Sequence, residues 1–205
     1  MACLERVAAG AITMNAASVY IIPVRFEEIL KIGFSREPAR RIRSFHARYF
    51  EYFDLDRGLV VTVNDEKDAR RVERVLARQF ADHRSRAPLV VEQAPGGHTE
   101  WYRRAYSQVL EASTQLIVEG GYPPPTSAAD LIREHLVRER DHLFEHATAL
   151  VDVIDGLGNG DPQALRVATA FRDVLHAFEA FDIPVAEFLP DEFAMRFAAQ
   201  WVREK

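Results

Sequence analysis

Residues 18–34 read SVYIIPVRFEEILKIGF, and this stretch decides the fold class because two apolar runs flank a short charged segment. The first run, Val19–Val24, is β-branched and aromatic, as strands are, and Pro23 ends it in a turn. The second run, Ile29–Phe34, has the same character. Together the two runs predict an antiparallel β-hairpin.

Helix and strand patterns alternate after this hairpin. Ser35 and Pro38 predict the start of a helix that continues to about His46, and Leu59–Val63 reads as a buried strand. Apolar residues with helical spacing follow, at Ala69, Val72, Val75, Leu76 and Phe80. The first half therefore predicts a small sheet of about three strands with flanking helices in β-β-α-β-α order, and a further helix over about 100–118.

A Gly/Pro-rich segment at 120–126 separates this half from a helical one. Thr126 or Ser127 caps a long predicted helix that runs to about Asp155, a second helix spans about 162–181, and a short one begins at Pro190. The predicted class is α+β followed by an all-α C-terminal domain. The predicted divisions are an N-terminal extension (1–17), a first domain (18–119), a linker (120–126) and a helical accessory domain (127–205).

Composition limits the class of protein. The chain has 205 residues, of which 48% are hydrophobic, so it has enough apolar side chains for a real core. The single cysteine, Cys3, excludes an internal disulfide framework and cysteine zinc sites. We expect a cytoplasmic protein, because neither a secretory signal nor a membrane-spanning run stands out.

Charge differs between the two halves. Residues 1–106 carry 18 Lys and Arg against 14 Asp and Glu, whereas residues 107–205 carry 8 against 17. A basic first half is compatible with a polyanionic partner, and ordinary variation between domains explains the difference nearly as well.

Five short motifs follow one another in the first half. They are Ser18-Val19-Tyr20, Lys31-Ile32-Gly33, Arg41, Glu73 and Glu100-Trp101-Tyr102. In this order and at this spacing, residues 18–104 resemble the GIY-YIG endonuclease superfamily, in particular its phage and bacterial branch with a K-I-G second motif and a closing E-W-[FY] signature. The sequence departs from that pattern at Ser18, where the family has glycine, at Lys31, where founding members have tyrosine, and at Ala77, where the branch often has histidine.

The resemblance implies catalytic roles for four residues. Glu73 would hold one Mg²⁺, with Mn²⁺ as an alternative, and Arg41 would bind the scissile phosphate. Tyr20 would accept a proton from the attacking water after nearby cations, with Lys31 as the candidate, lower its pKa. Each residue also has a structural interpretation: strand packing for Tyr20, protection of a sheet edge for Lys31, a solvated basic helical face for Arg41 and surface ion pairing for Glu73.

Candidate DNA-binding residues surround these motifs. On and near the first helix they are Arg36, Arg40, Arg43, His46 and Arg48, and a second basic series on the next helix is Arg70, Arg74 and Arg78. Contacts to phosphate position a protein without reading sequence, so these residues do not define a target. A solvated basic surface is the alternative.

One polar series in the helical half could bind a metal. His135, Glu139, His142 and His146 share one face of the predicted long helix, although a polar stripe that faces solvent or a helix partner is the favoured explanation. Three hypotheses follow. The first is a Mg²⁺-dependent DNA endonuclease whose helical half supports a homodimer or a protein partner. The second is a non-catalytic nucleic-acid- or protein-binding module, and the third is a helical metal sensor centred on His142.

Overall fold

The structure, a computed structural model, describes residues 16–91, 99–157 and 161–191. Nearly all of the predicted N-terminal extension, including Cys3, lies outside the described residues, as does most of the short helix expected from Pro190. The described chain forms an antiparallel sheet with helices on both faces, so a mixed helix-and-sheet fold is confirmed.

The sheet contains six strands in the described residues, in the order β4-β5-β2-β1-β3-β6. They are Ala17–Pro23 (β1), Ile29–Ser35 (β2), Leu59–Val63 (β3), Arg84–Ser85 (β4), Trp101–Arg103 (β5) and Thr126–Ser127 (β6). The predicted hairpin is confirmed, with Tyr20 opposite Gly33 and Ile22 opposite Lys31. Every neighbouring pair of strands is antiparallel.

Seven α-helices complete the described part of the chain. They are Pro38–Arg43 (α1), Tyr49–Tyr52 (α2), Glu66–Gln79 (α3), Tyr106–Gly120 (α4), Ala128–Glu139 (α5), Leu143–Leu157 (α6) and Pro162–Ala180 (α7). Local capping explains several of their starts. The Asp65 side chain accepts from the backbone N–H of Asp68, and the Ser127 side chain accepts from that of Asp130.

The two faces of the sheet bury different cores, because successive strand residues point to opposite sides. Val19 and Ile21 pack with α3 and α4, whereas Tyr20 and Ile22 pack with α1 and with α5 to α7. The first half therefore contributes to the same apolar cluster as the helical half. β6 adds a second connection, because it lies at the end of the predicted linker and pairs with β3. The division into domains stays a prediction.

The prediction of about three strands is wrong, because β4, β5 and β6 extend the sheet. These strands have only two or three residues each, too few for an alternating pattern to stand out in the sequence. The predicted helix over 100–118 begins too early, because the short strand β5 occupies the first part of that range. Trp101 and Tyr102 form β5 and bury their rings completely on opposite faces of the sheet, and α4 begins only at Tyr106.

Two further sequence predictions need correction. The expected long helix to Asp155 is interrupted by a 3-10 turn at Arg140–His142, which separates α5 from α6. In α3, Val75 is 37% exposed, because the buried stripe runs through Ala69, Val72 and Leu76 and leaves Val75 at its border. The helix predicted over about 162–181 is confirmed as α7, with both ends within two residues of the prediction.

None of the helices within residues 16–91, 99–157 and 161–191 has both the length and the apolar character needed to cross a membrane.

Candidate active site

The β1–β2 hairpin places Tyr20 and Lys31 on one face of the sheet. Tyr20 is opposite Gly33, and residues that differ by two along a strand share a face, so Lys31 and Gly33 project to the same side as Tyr20. The Tyr20 side chain crosses the strand at Gly33. A Cβ atom added at Gly33 would lie 2.5 Å from the Tyr20 hydroxyl oxygen, so glycine is required here by close approach.

Lys31 is held from several directions although its side chain is only 1% exposed. Its ammonium group donates to the Thr99 carbonyl and lies 3.3 Å from the Glu100 carboxylate. It also lies 5.6 Å from the centroid of the Trp101 ring, within cation–π range. Burial lowers the pKa of Lys31, and the Glu100 charge and hydrogen bond oppose this effect. The interpretation of Lys31 as an edge-strand device is wrong, because β2 lies between β1 and β5.

Arg41 reaches Tyr20 from α1. Its guanidinium carbon lies 4.8 Å from the Phe45 ring centroid, and Phe45 packs at 6.2 Å from the Tyr20 ring. Burial raises the pKa of Tyr20 to about 12, although the charge of Arg41 and a hydrogen bond with it act in the opposite direction. The expectation that nearby cations lower this pKa is therefore wrong for the free protein, because Tyr20 is 2% exposed and burial outweighs the cation. The main opposing cation is Arg41 rather than Lys31.

Glu73 comes from α3, on the other face of the sheet, and its charge acts on the site. Burial and then the Glu100 charge raise its pKa to about 7, while the charges of Lys31, Arg70 and Arg74 act in the opposite direction. Glu73 also appears among the charges that act on Tyr20 and on Lys31. Arg41 and Glu73 therefore lie within electrostatic range of both Tyr20 and Lys31, although the four residues come from β1, β2, α1 and α3.

Glu100 is a fifth residue of this site. The sequence suggests Glu100 only as part of the closing motif. In the structure its carboxylate contacts Lys31 and lies within electrostatic range of Tyr20 and Glu73. Its backbone has a φ of 62°, and its side chain accepts a hydrogen bond of 2.7 Å from Thr99. A left-handed backbone is unusual for glutamate and marks a constrained position. The sequence signal was its place directly before Trp101, which pairs with Lys31.

The predicted DNA-binding residues are mostly engaged in contacts within the protein. Arg43 binds Glu139 at 2.5 Å, and Arg48 binds Asp173 at 2.9 Å, which joins α1 and α2 to the helical half. His46 stacks on a tyrosine and accepts from the backbone N–H of Arg48. The two remaining residues are more exposed: Arg36 pairs with Glu66 at 3.0 Å and Arg40 with Glu37 at 3.6 Å.

The predicted histidine series in the helical half does not share one helix. His135 Nε2 lies 3.1 Å from the Glu139 carboxylate on α5, His142 lies in the 3-10 turn, and His146 on α6 stacks on Phe171 at 5.5 Å. Within the described residues there is no group of three or more His, Cys, Asp or Glu side chains that could hold a metal ion.

The donor set at Glu73 is compatible with Mg²⁺ but not with a metal held entirely by protein. Mg²⁺ is usually held by one or two carboxylates and keeps several waters or substrate oxygens. Glu73 and Glu100 supply carboxylates close enough for Glu100 to raise the pKa of Glu73. A cation near both carboxylates would relieve their repulsion, so the residues present fit this metal.

Comparison with known protein families shows one similarity. Residues 17–117 match the family model of the T5orf172 domain, and this range includes β1 to β5 and all five residues of the candidate site. The T5orf172 domain is associated with nucleases, which is consistent with a DNA-related function. The predicted assignment to the GIY-YIG superfamily is wrong as a family assignment, because the model that matches is that of the T5orf172 domain and no GIY-YIG model matches. No curated protein and no solved structure matches the chain.

Proposed function

We propose that this protein is a metal-dependent endonuclease that hydrolyses DNA phosphodiester bonds. Its active site would be formed by Tyr20, Lys31, Arg41 and Glu73. The observation that carries the proposal is that Tyr20 and Lys31 project from one face of the β1–β2 hairpin, with Arg41 and Glu73 within electrostatic range of both. A cationic clamp beside a carboxylate is the arrangement that phosphodiester cleavage requires.

The cations of the site would bind and orient the substrate. Arg41 offers a planar guanidinium that holds a phosphate through two parallel hydrogen bonds and offsets negative charge in the transition state. Lys31 adds a second positive charge at a fixed position, because Thr99 and Glu100 anchor its ammonium group. These contacts would keep the reacting phosphate within the site.

Glu73 would hold the metal, together with Glu100 if both carboxylates bind it. When bound, Mg²⁺ supplies positive charge beside the phosphate and favours deprotonation of a coordinated water. Glu73 must be ionised for this role, and with a pKa of about 7 it is only partly ionised at neutral pH.

Tyr20 keeps its proton in the free protein at neutral pH, because burial raises its pKa to about 12. In this state its hydroxyl can donate a hydrogen bond to a phosphate oxygen. Tyr20 becomes a proton acceptor only when additional positive charge, beyond that of Arg41, lowers its pKa toward neutrality.

The same pKa supports the second candidate, a nucleic-acid- or protein-binding module without catalytic activity. A protonated tyrosine and a buried lysine with a lowered pKa are also what a retained but inactive site would contain. This candidate keeps Arg41 as a phosphate-binding group and requires no metal. The cytoplasmic location, and a homodimer or protein partner bound through the helical half, remain predictions.

A plasmid-nicking assay with and without Mg²⁺ distinguishes the two candidates. We expect the wild type to nick plasmid only with Mg²⁺ or Mn²⁺, and Arg41→Ala and Glu73→Ala to lose activity by at least about a hundredfold. Glu28→Gln is the matched control, because Glu28 is an exposed carboxylate paired with Arg104 outside the site. Binding of DNA by a wild type that never cuts it would favour the second candidate.

A further inference from the structure

Basic residues are paired unequally on the two sides of the candidate site. On the α1–α2 side, Arg43 and Arg48 bind Glu139 and Asp173 of the helical half. Those carboxylates would have to be displaced before either arginine could bind DNA. The acidic balance of residues 107–205 makes this side still less attractive to a polyanion.

The α3 side presents arginines without such partners. Arg74, Arg78, Arg84 and Arg86 are all exposed, and within the described part of the chain none of them forms a salt bridge. We call these four residues the α3–β4 arginine patch. Arg74 and Arg78 are four residues apart on one helix, so they share a face and lie about 6 Å apart along its axis.

Strand pairing places the second half of the patch on the same side of the sheet. Arg84 is directly opposite Tyr102, and Tyr102 packs in the cluster formed with α3. Directly opposite residues of an antiparallel pair share a face, so Arg84 lies on the α3 side. Arg86 follows two residues later, one residue beyond the pairing of Ser85 with Trp101.

The patch adjoins the candidate site at both ends. The charge of Arg74 reaches Glu73, where it opposes the effects of burial and of Glu100 on the Glu73 pKa. The other end is next to Trp101, which directly follows Glu100. The patch therefore lies beside the Glu73 and Glu100 carboxylates, whereas Arg41 comes from α1 on the other face of the sheet.

We propose that Arg74, Arg78, Arg84 and Arg86 form the surface that binds the DNA backbone next to the candidate site. This inference rests on the proposed function and specifies which side of the site the DNA occupies. Each arginine that neutralises a phosphate releases condensed counterions, so the patch contributes to the salt dependence of binding and not to sequence preference.

The test measures binding of a short fluorescent DNA duplex in EDTA, so that cleavage cannot interfere, over about 50 to about 200 mM salt. The variants are Arg74→Ala with Arg78→Ala, and Arg84→Ala with Arg86→Ala. The matched control is Arg133→Ala with Arg138→Ala, which removes two exposed arginines from α5. We expect each patch pair to weaken binding roughly tenfold and to reduce the slope of log affinity against log salt by about 2, and the control pair to change neither.

The possible outcomes separate this inference from the function on which it rests. If the wild type binds DNA with a steep salt dependence and both patch pairs keep its slope, the inference is wrong and the proposed function stands. If the wild type does not bind DNA in EDTA, the inference is wrong, and the nicking assay with Mg²⁺ decides the proposed function separately. All four arginines are exposed, so unchanged thermal unfolding will show that any loss of binding is not a loss of folding.

Discussion

The Glu100 carboxylate lies 3.3 Å from the ammonium group of Lys31, and the lysine side chain is only 1% exposed. Both charges of this ion pair act on the pKa of Glu73, in opposite directions. Glu100 raises the pKa of Glu73 after burial has already done so, and Lys31 lowers it. The ionisation of the candidate metal ligand is therefore set partly by a residue pair on neighbouring strands.

The first prediction concerns the pH dependence of metal binding. The pKa of Glu73 is raised to about 7, so Glu73 is protonated below this pH and cannot bind a cation. Mg²⁺ affinity should be constant above about pH 7 and should fall roughly tenfold per pH unit below it. Isothermal titration calorimetry over this range measures it, and a constant affinity down to about pH 5 would contradict the assignment of Glu73 as a ligand with a raised pKa.

The second prediction uses the Glu100–Lys31 pair to move that midpoint in both directions. Glu100→Gln removes a charge that raises the pKa of Glu73, so the midpoint of Mg²⁺ binding should move to lower pH. Lys31→Met removes a charge that lowers it, so the midpoint should move to higher pH. The same calorimetric titration measures both variants.

Glu28→Gln is again the control, since its carboxylate pairs with Arg104 and does not act on Glu73. Opposite shifts for the two site variants and none for the control are expected. A shift of both site variants in the same direction would mean that loss of packing, not charge, controls the midpoint.

The third prediction concerns the contact between Tyr20 and Gly33. Gly33→Ala places a Cβ atom 2.5 Å from the Tyr20 hydroxyl oxygen, so the ring or the strand must move. We expect a loss of about 1–3 kcal/mol in the free energy of unfolding, as for other overpacked cores, and a loss of DNA cleavage. Chemical denaturation and the nicking assay measure the two effects.

Gly156→Ala is the matched control, because Gly156 lies in α6 and an added Cβ there meets nothing within 4 Å. Alanine favours helix over glycine by roughly 1 kcal/mol, so this variant should unfold at a higher denaturant concentration than the wild type. If Gly33→Ala is as stable and active as the wild type, the close packing of Tyr20 on β2 is not needed by the site.

Local patterns in the sequence predict the elements with the longest runs. The hairpin, β3, α3 and α7 all follow from apolar periodicity and caps such as Asp65. The short strands do not, because Arg84–Ser85 and Thr126–Ser127 owe their extended form to pairing with strands far away in the sequence.

The fourth prediction distinguishes structural arginines from DNA-binding ones. Arg43 binds Glu139 at 2.5 Å and lies 5.9 Å from the Tyr49 ring, so Arg43→Ala should lower the free energy of unfolding by about 1 kcal/mol. The salt dependence of DNA binding by Arg43→Ala should equal that of the wild type, because the Glu139 carboxylate already occupies the Arg43 guanidinium. Arg40→Ala, whose partner is 3.6 Å away and exposed, should change stability less.

Denaturation and DNA-binding titrations on the same preparations check this prediction. If Arg43→Ala reduces the slope of log DNA affinity against log salt and leaves stability unchanged, Arg43 belongs to the DNA interface. The structure would then have to release Glu139 when DNA binds.

The candidate site was predictable in part. Motif spacing selected Tyr20, Lys31, Arg41 and Glu73, and the charges of Arg41 and Glu73 act on both Tyr20 and Lys31. Spacing could not reveal the sign of the Tyr20 pKa shift, because that depends on burial by residues such as Phe45, far away in the sequence. Nor could it show that the carboxylates which engage Arg43 and Arg48 come from the helical half.

The most direct measurement of the central claim is the single-turnover cleavage rate of a labelled DNA duplex with enzyme in excess and saturating Mg²⁺. We expect Glu73→Gln to be slower than the wild type by at least about a hundredfold and Glu28→Gln to be unchanged, because Glu73, unlike Glu28, supplies a ligand to the metal. Equal cleavage rates for Glu73→Gln and the wild type, or a wild type that leaves the duplex intact, would contradict it.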